Sequence, residues 1–323
     1  MRARASETVP GSAEPALVVP RLPTGMRLPF LSRPDPSWYT GFSVPDPHVT
    51  LTYLGTAGFV LANAERTVVL DPYVTRTDLA ELAARPLESD EALVRALIPR
   101  ADDVCVGHAH FDHVLDAPTV CRQTGARLVG SRAVAMVGRA AGLPERQIVE
   151  TNGRTDVASG PWTIRALPSI HGKAVLGRVP LPGDILAPPP WPPRVRDLRH
   201  GQVMNWSIDT GGLRIVHVDS ADFLATELRG QRADVVCLCA IGRAYRPRYV
   251  DEIVALLRPR WIVPCHWDTM ITPYGMPPDL LPGVDLPGFL REIRRAGVEP
   301  LLLPIGGKLG LPRVGVTATD RRS

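Results

Sequence analysis

His108-Ala109-His110-Phe111-Asp112-His113 stands directly behind the apolar run Val104-Cys105-Val106 and the single residue Gly107. Three imidazoles and a carboxylate packed this closely suit neither a hydrophobic core nor a solvated face. The chain has eight histidines in 323 residues, and three of them fall in this one hexapeptide. In an extended segment leaving a strand, alternate side chains share a side, so His108 and His110 can grip one ion. Asp112 and His113 are adjacent and must serve a different position, a second ion reached by a short turn. Neutral imidazole and carboxylate are the ligand set of zinc, iron and manganese sites.

The hexapeptide resembles the H-x-H-x-D-H signature of the metallo-β-lactamase superfamily, matched at His108, His110, Asp112 and His113 without a substitution. The resemblance implies an α/β fold, a four-layer αββα sandwich made of two similar βα halves with a metal groove along one edge of the sheets. It also implies three later ligands, each at the end of a later strand.

Working outward, Val49–Gly55, Phe59–Leu61 and Thr67–Leu70 read as strands. The third runs into Asp71-Pro72. An Asp before Pro is also a common turn starter; the resemblance gives Asp71 the role of orienting a ligand histidine from behind. Thr77–Arg100 has helical spacing interrupted at Pro86, and Asp103–Val106 is the strand that delivers the ligand loop. Ala117–Thr124 and Ser131–Ala141 read as helices around the short strand Arg127–Gly130, the second with Ser131 as N-cap. Strands alternating with helices indicate a βα architecture.

Trp162 begins a strand that ends in His171-Gly172, and Trp261-Ile262-Val263-Pro264-Cys265 runs into His266. The resemblance assigns both histidines as ligands. Gln202–Ile208 and Leu213–Val218 read as a hairpin followed by Asp219-Ser220-Ala221-Asp222. Asp219 is the expected bridging carboxylate, although the family's usual Gly-Asp-Thr is Val-Asp-Ser here, which makes Asp222 a competitor. His217 reads as a packed neighbour. By position, one ion would take His108, His110 and His171, the other Asp112, His113 and His266, with Asp219 between them.

Lys173–His200 carries seven prolines and Trp191 and follows His171 directly. Proline removes donors and stiffens the chain, so this is neither helix nor central strand, and an ordered loop covering the substrate is expected. Arg243, Tyr245 and Arg246, after the strand within Ala233–Ala240, are candidates to hold an anionic substrate group. Helices over Pro247–Leu257 and Leu286–Ala296 and a strand over Pro300–Pro304 complete the pattern. The organisation expected is an N-terminal segment 1–47, partly disordered, a domain over 48–310 with the Pro-rich insertion 173–200, and a tail 311–323. Trp38, Tyr39 and Phe42 are read as packing against the start of the domain.

At 45% hydrophobic and 22% charged residues the composition is that of an ordinary globular chain. A net charge of +4 gives no general reason to bind nucleic acid. The five cysteines are odd in number and sit mostly in apolar runs, so they read as reduced and buried, with Cys265 beside a ligand position. No run of about 18 apolar residues exists and no apolar segment follows Arg2 and Arg4, so neither a transmembrane helix nor a secretory signal is expected, and the cytoplasm is the default.

The function implied is hydrolysis by a dinuclear centre, a metal-bound hydroxide acting on an ester, lactone or phosphodiester. Two cations sharing a water lower its pKa from about 16 towards 7. Asp112 would orient the nucleophile and pass a proton to the leaving group. Zinc leads, with manganese and iron as the other metals of this donor set. Leu54–Phe59 and Asp71-Pro72 resemble the branch of ascorbate-6-phosphate lactonase and N-acyl phosphatidylethanolamine phospholipase D, which suits a small-molecule or lipid-like ester. The competing classes are an iron-dependent oxidoreductase of the same fold, of the persulfide dioxygenase type, and a binding module that has lost ligands.

Overall fold

Alternation along the strands decides which layer each side chain enters. The computed structural model describes residues 31–174 and 176–314. Its first sheet contains β1 (Val49–Gly55), β2 (Gly58–Ala62), β3 (Thr67–Leu70), β4 (Asp103–Val106), β5 (Arg127–Gly130) and β6 (Ile148–Glu150). A second sheet contains β7 (Asp156–Ser159), β8 (Trp162–Ser169), β9 (Val203–Asp209), β10 (Arg214–Val218), β11 (Val235–Cys239), β12 (Trp261–Cys265) and β13 (Glu299–Pro300). β14 (Lys308–Leu311) returns to the first sheet and pairs antiparallel with β1, Val49 opposite Leu311.

Phe59, Leu61, Val68, Leu70, Cys105 and Val129 point into the space between the sheets, where they meet Trp162, Ile164, Met204, Trp206 and Ile208. The alternate residues Val69, Val104, Val106 and Leu128 point outward into a second core. Fully burying such a side chain stabilises by about 1.5–3 kcal/mol. A one-residue slip would exchange these two sets, so the pattern fixes the register.

The outer face of the first sheet is covered by α1 (Leu79–Ala84), α2 (Glu91–Leu97), α3 (Phe111–Val114), α4 (Ala117–Thr124) and α5 (Arg132–Ala140). α6 (Ala225–Leu228), α7 (Tyr249–Leu257) and α8 (Leu286–Arg295) belong with the second sheet. The resulting order is helices, sheet, sheet, helices, the αββα sandwich expected from the sequence. Each half opens with an antiparallel meander, β1-β2-β3 or β8-β9-β10, and continues through parallel strands. By this count β3 and β10 are equivalent, as are β4 and β11.

Several expectations needed adjustment. The helical stretch 77–100 is two short helices, because Asp78 and Asp90 each cap a separate first turn by accepting from Glu81 N–H and Leu93 N–H. Ser131 occupies the N-cap position of α5 but its hydroxyl makes no capping bond. Of Pro300–Pro304, only Pro300 lies in a strand, and Lys308–Leu311, which straddles the domain boundary expected at 310, is an edge strand. The first thirty residues, expected to be partly disordered, and 315–323 lie outside the described residues. Trp38, Tyr39 and Phe42 pack on the core, Phe42 5.2 Å from the Trp261 ring and Tyr39 6.3 Å from Trp267. Thr40 fastens that segment, its N–H donating to Leu302 O and its hydroxyl to Pro300 O.

Candidate metal centre

β3, β4, β8, β10 and β12 all run the same way within their sheets, so their carboxyl ends open on one edge. Binding groups in α/β folds collect at such ends. Beyond them lie Asp71, the loop from Gly107, His171, Asp219 and His266. Phe111–Val114 winds into one helical turn, which carries Asp112 to His266 while the His113 ring stays beside His108, 3.8 Å between centroids.

Donor atoms of three groups approach within 4.8 Å of one another: His108, His110 and His171; Asp112, His113 and His266; and His108, His113 and Asp219. His108 Nε2 is 3.0 Å from His110 Nδ1, and the His108 and His171 rings are 4.8 Å apart. Asp112 Oδ2 is 3.1 Å from His266 Nε2 and 3.7 Å from His113 Nε2. His266 itself has φ of 54° and its N–H donates to Thr56 O at 2.6 Å.

The groups behind these rings decide the tautomers. His108 Nδ1–H donates to Asp219 Oδ2 at 2.6 Å, His113 Nδ1–H to Asp71 Oδ2 at 3.0 Å, and His171 Nδ1–H to Gly172 O at 2.7 Å. With Nδ1 carrying the proton, the Nε2 lone pair of each of these rings is left for the groove. Burial, together with the neighbouring imidazoles, lowers the pKa of His108 far below its usual value. His113 is also lowered well below its usual value by burial, against the pull of Asp112, and His171 falls to about 3 through burial and His110. Neutral imidazoles in this array are ready ligands. Burial raises the Asp112 carboxyl, but His113 and His266 more than offset it and hold it below the ordinary carboxylate range. Asp71 and Asp219 are pushed up by burial, and a dication in the groove would reverse that penalty. His110 Nε2 and His266 Nδ1 are buried without a hydrogen-bond partner. Three nitrogen donors in one group, and two nitrogens with a carboxylate in the other, form a set that fits divalent metal.

Asp222 is elsewhere. Its carboxylate pairs with Arg246, which also donates to Glu252 at 2.6 Å and lies over the Phe223 ring. Arg243 is likewise committed, to Glu292 and Asp285. These arginines, expected as anion holders, are thus neutralised by the protein. His217 is buried against Phe59 and belongs to none of the three donor groups. All five cysteines are free and buried, and burial raises the Cys265 thiol well above its usual pKa.

Sequence reading missed three contributors. His200 comes from the end of the Pro-rich insertion; its ring stacks 5.7 Å from His171 and lies 5.9 Å from His110, while its carbonyl accepts from Ala109 N–H. Asp116 accepts from Val74 N–H, Thr75 N–H and the Thr75 and Ser89 hydroxyls, tying the segment after β3 to the ligand loop. Asp268 and Arg76 form a buried ion pair at 2.8 Å; Asp268 also accepts from Tyr53 O–H and Thr56 N–H. A carboxylate two residues past His266 was the available signal for the last.

The fold and this cluster together define a class, the metal-dependent hydrolases of the metallo-β-lactamase type. A model described as the beta-lactamase superfamily domain matches residues 50–266, and the chain belongs to the metallo-β-lactamase superfamily. Among its relatives are a UPF0173 metal-dependent hydrolase of Anaeromyxobacter dehalogenans, 26% identical over 71% of this chain and 78% of that protein, and another of Pyrobaculum arsenaticum, 27% identical over 68% and 84%. In fold it is similar to an isothiocyanate hydrolase from Delia radicum gut bacteria, with TM-score 0.53, 17% identity and coverage of 80% of this chain and 98% of that one. It is also similar to CmlA, a diiron beta-hydroxylase from Streptomyces venezuelae, with TM-score 0.55, 16% identity, and coverage of 83% and 55%. Among the described residues, no helix is long and apolar enough to cross a membrane.

Proposed function

We propose that this chain is a dinuclear hydrolase acting on an ester, lactone or phosphodiester of a small-molecule or lipid-like substrate. The observation that carries the reading is the convergence of two three-residue donor groups, His108/His110/His171 and Asp112/His113/His266, in one groove. Two divalent cations bound there, with zinc the first choice for these nitrogen and oxygen donors, would activate a shared water and polarise the bond to be cleaved.

The protein's own contribution is positional. Asp71 and the Gly172 carbonyl hold His113 and His171 in the tautomer that faces the groove. Asp112, kept ionised by His113 and His266, is placed to orient the attacking water and to carry a proton towards the leaving group. Within the insertion 173–200, Ile185 and Leu198 are buried in the core under the outer helices, and His200 reaches the groove. It is proposed to shape the substrate site.

The test is elemental analysis of protein purified without chelator, with a lactone and bis(p-nitrophenyl) phosphate assayed alongside. About two zinc or manganese ions per chain with turnover of either ester is the expected result. One iron and no hydrolysis would replace this reading with an oxidoreductase, and absence of metal would replace it with a binding module.

A further inference from the structure

The His171-Gly172 pair that follows β8 recurs at the end of the insertion as His200-Gly201. Both histidines make the same local bond, Nδ1–H donating to the carbonyl of the glycine that follows, Gly172 O in one case and Gly201 O in the other. A carbonyl can only accept, so the proton sits on Nδ1 and the neutral ring keeps a lone pair on Nε2. The two rings lie nearly parallel, 28° between planes and 5.7 Å between centroids, and His200 also meets His110 edge-on at 5.9 Å. His171 belongs to a donor group and His200 to none. His200 Nε2 is thus an acceptor at the wall of the groove that the ligand set does not use.

The backbone holds this ring in place. His200 O accepts from the N–H of Ala109, between two ligand histidines, at 3.0 Å, and His200 N–H donates to Leu181 O at 3.3 Å. Gly201 N–H donates to Gly183 O at 2.9 Å; Gly201 has φ of 65°, and a Cβ there would overlap that of Ala133. Only glycine suits such a turn. The prolines before it stiffen the segment, and Leu198 is buried in the outer core. A side chain fixed in this way is preorganised for a ligand.

We propose that His200 is a specificity residue of the site: its Nε2 accepts a hydrogen bond from a hydroxyl or amide N–H that the substrate carries beside the bond to be cleaved. The inference rests on the hydrolase reading above and narrows it to esters and lactones with a donor next to the carbonyl. An analogue without that donor leaves the acceptor unpaired in the complex, and the site discriminates against it.

Kinetics at about pH 8, where imidazole is neutral, test this with α-hydroxy-γ-butyrolactone and γ-butyrolactone. The parent should favour the hydroxylated lactone about 10-fold in kcat/KM, the worth of one hydrogen bond. Asn places an amide N–H where Nδ1–H stood, so His200→Asn keeps the bond to Gly201 O and loses the acceptor. Gln places an amide oxygen near the position of Nε2, so His200→Gln keeps the acceptor. His200→Asn should abolish the preference and His200→Gln should retain most of it, both with the parent's metal content. A role confined to holding the turn would give the opposite order and overturn the proposal, as would a parent without preference. Loss of an ion in His200→Asn would make His200 a ligand and overturn it too. His200→Phe, which keeps a ring against His171, takes the place of His200→Asn if that variant does not fold. If neither lactone turns over, calorimetric binding of the two product acids to the zinc-loaded protein gives the same comparison; a preference due to chelation by the metal alone would survive His200→Asn. Failure of the hydrolase reading is distinguishable, because the unsubstituted protein would then not take up two ions.

Discussion

The two halves of the molecule furnish the groove in opposite ways. From the first half, one loop after β4 supplies His108, His110, Asp112 and His113, and the single turn of α3 divides them between two positions. The second half supplies His171 and His266 one at a time, from the ends of strands nearly a hundred residues apart. Local geometry spaces the first set, with Asp219 and Asp71 holding two of its rings from a distance, whereas sheet register brings the second set to the groove from two separate strand ends. Damage should differ accordingly: a change in the loop removes chemistry from a folded protein, and a change behind the second-half ligands costs stability as well.

The largest effect on activity is expected from His110→Ala. The imidazole projects from a loop whose backbone is held by other groups, including the Ala109 N–H to His200 O bond. Turnover should fall to background and the His108/His171 site should lose its ion, with an unchanged far-ultraviolet circular dichroism spectrum. Retained turnover with full metal content would sink the dinuclear mechanism.

Next comes Asp268→Ala, which attacks the second-half arrangement. Asp268 joins β12 to Arg76, Tyr53 and Thr56, and Thr56 in turn accepts from His266 N–H. Removing it leaves the buried Arg76 guanidinium without its carboxylate, a loss of about 3–5 kcal/mol. Urea denaturation should show that loss, and an added Arg76→Met should recover part of it. If Asp268→Ala were as stable as the parent, the long-range account of His266 placement would fail.

The same contrast explains what the sequence could disclose. The hexapeptide was legible because all four candidate donors sit within six residues, and spacing alone separates them into two pairs. His171 and His266 were legible only as strand ends, since the apolar runs before them announce where a sheet stops. His200 carried no such signal: prolines precede it, and only the path of the insertion brings its ring beside His171. Arg76 and Asp268 are separated by 192 positions, and nothing local in either segment points to the other. β6, β7 and β14 escaped notice because short strands at or near a sheet edge are partly solvated and lack the continuous apolar run of β4 or β11. The aspartates after β10 were visible as candidates, but choosing between them required knowing which one meets Arg246.

That choice gives the smallest expected effect. Asp222 is partly exposed, and its partner Arg246 keeps a second carboxylate, Glu252, and the face of Phe223 when Asp222 is gone. Ion pairs open to solvent contribute about 0–1 kcal/mol, so Asp222→Ala should cost no more than that in urea denaturation. Metal stoichiometry should stay that of the parent, because Asp222 belongs to none of the three donor groups. Loss of one ion per chain in this variant would mean that Arg246 releases the carboxylate to the groove on metal binding. The second half would then supply its bridge by rearrangement, and the contrast between a local first half and a register-fixed second half would have to give way to a mobile one.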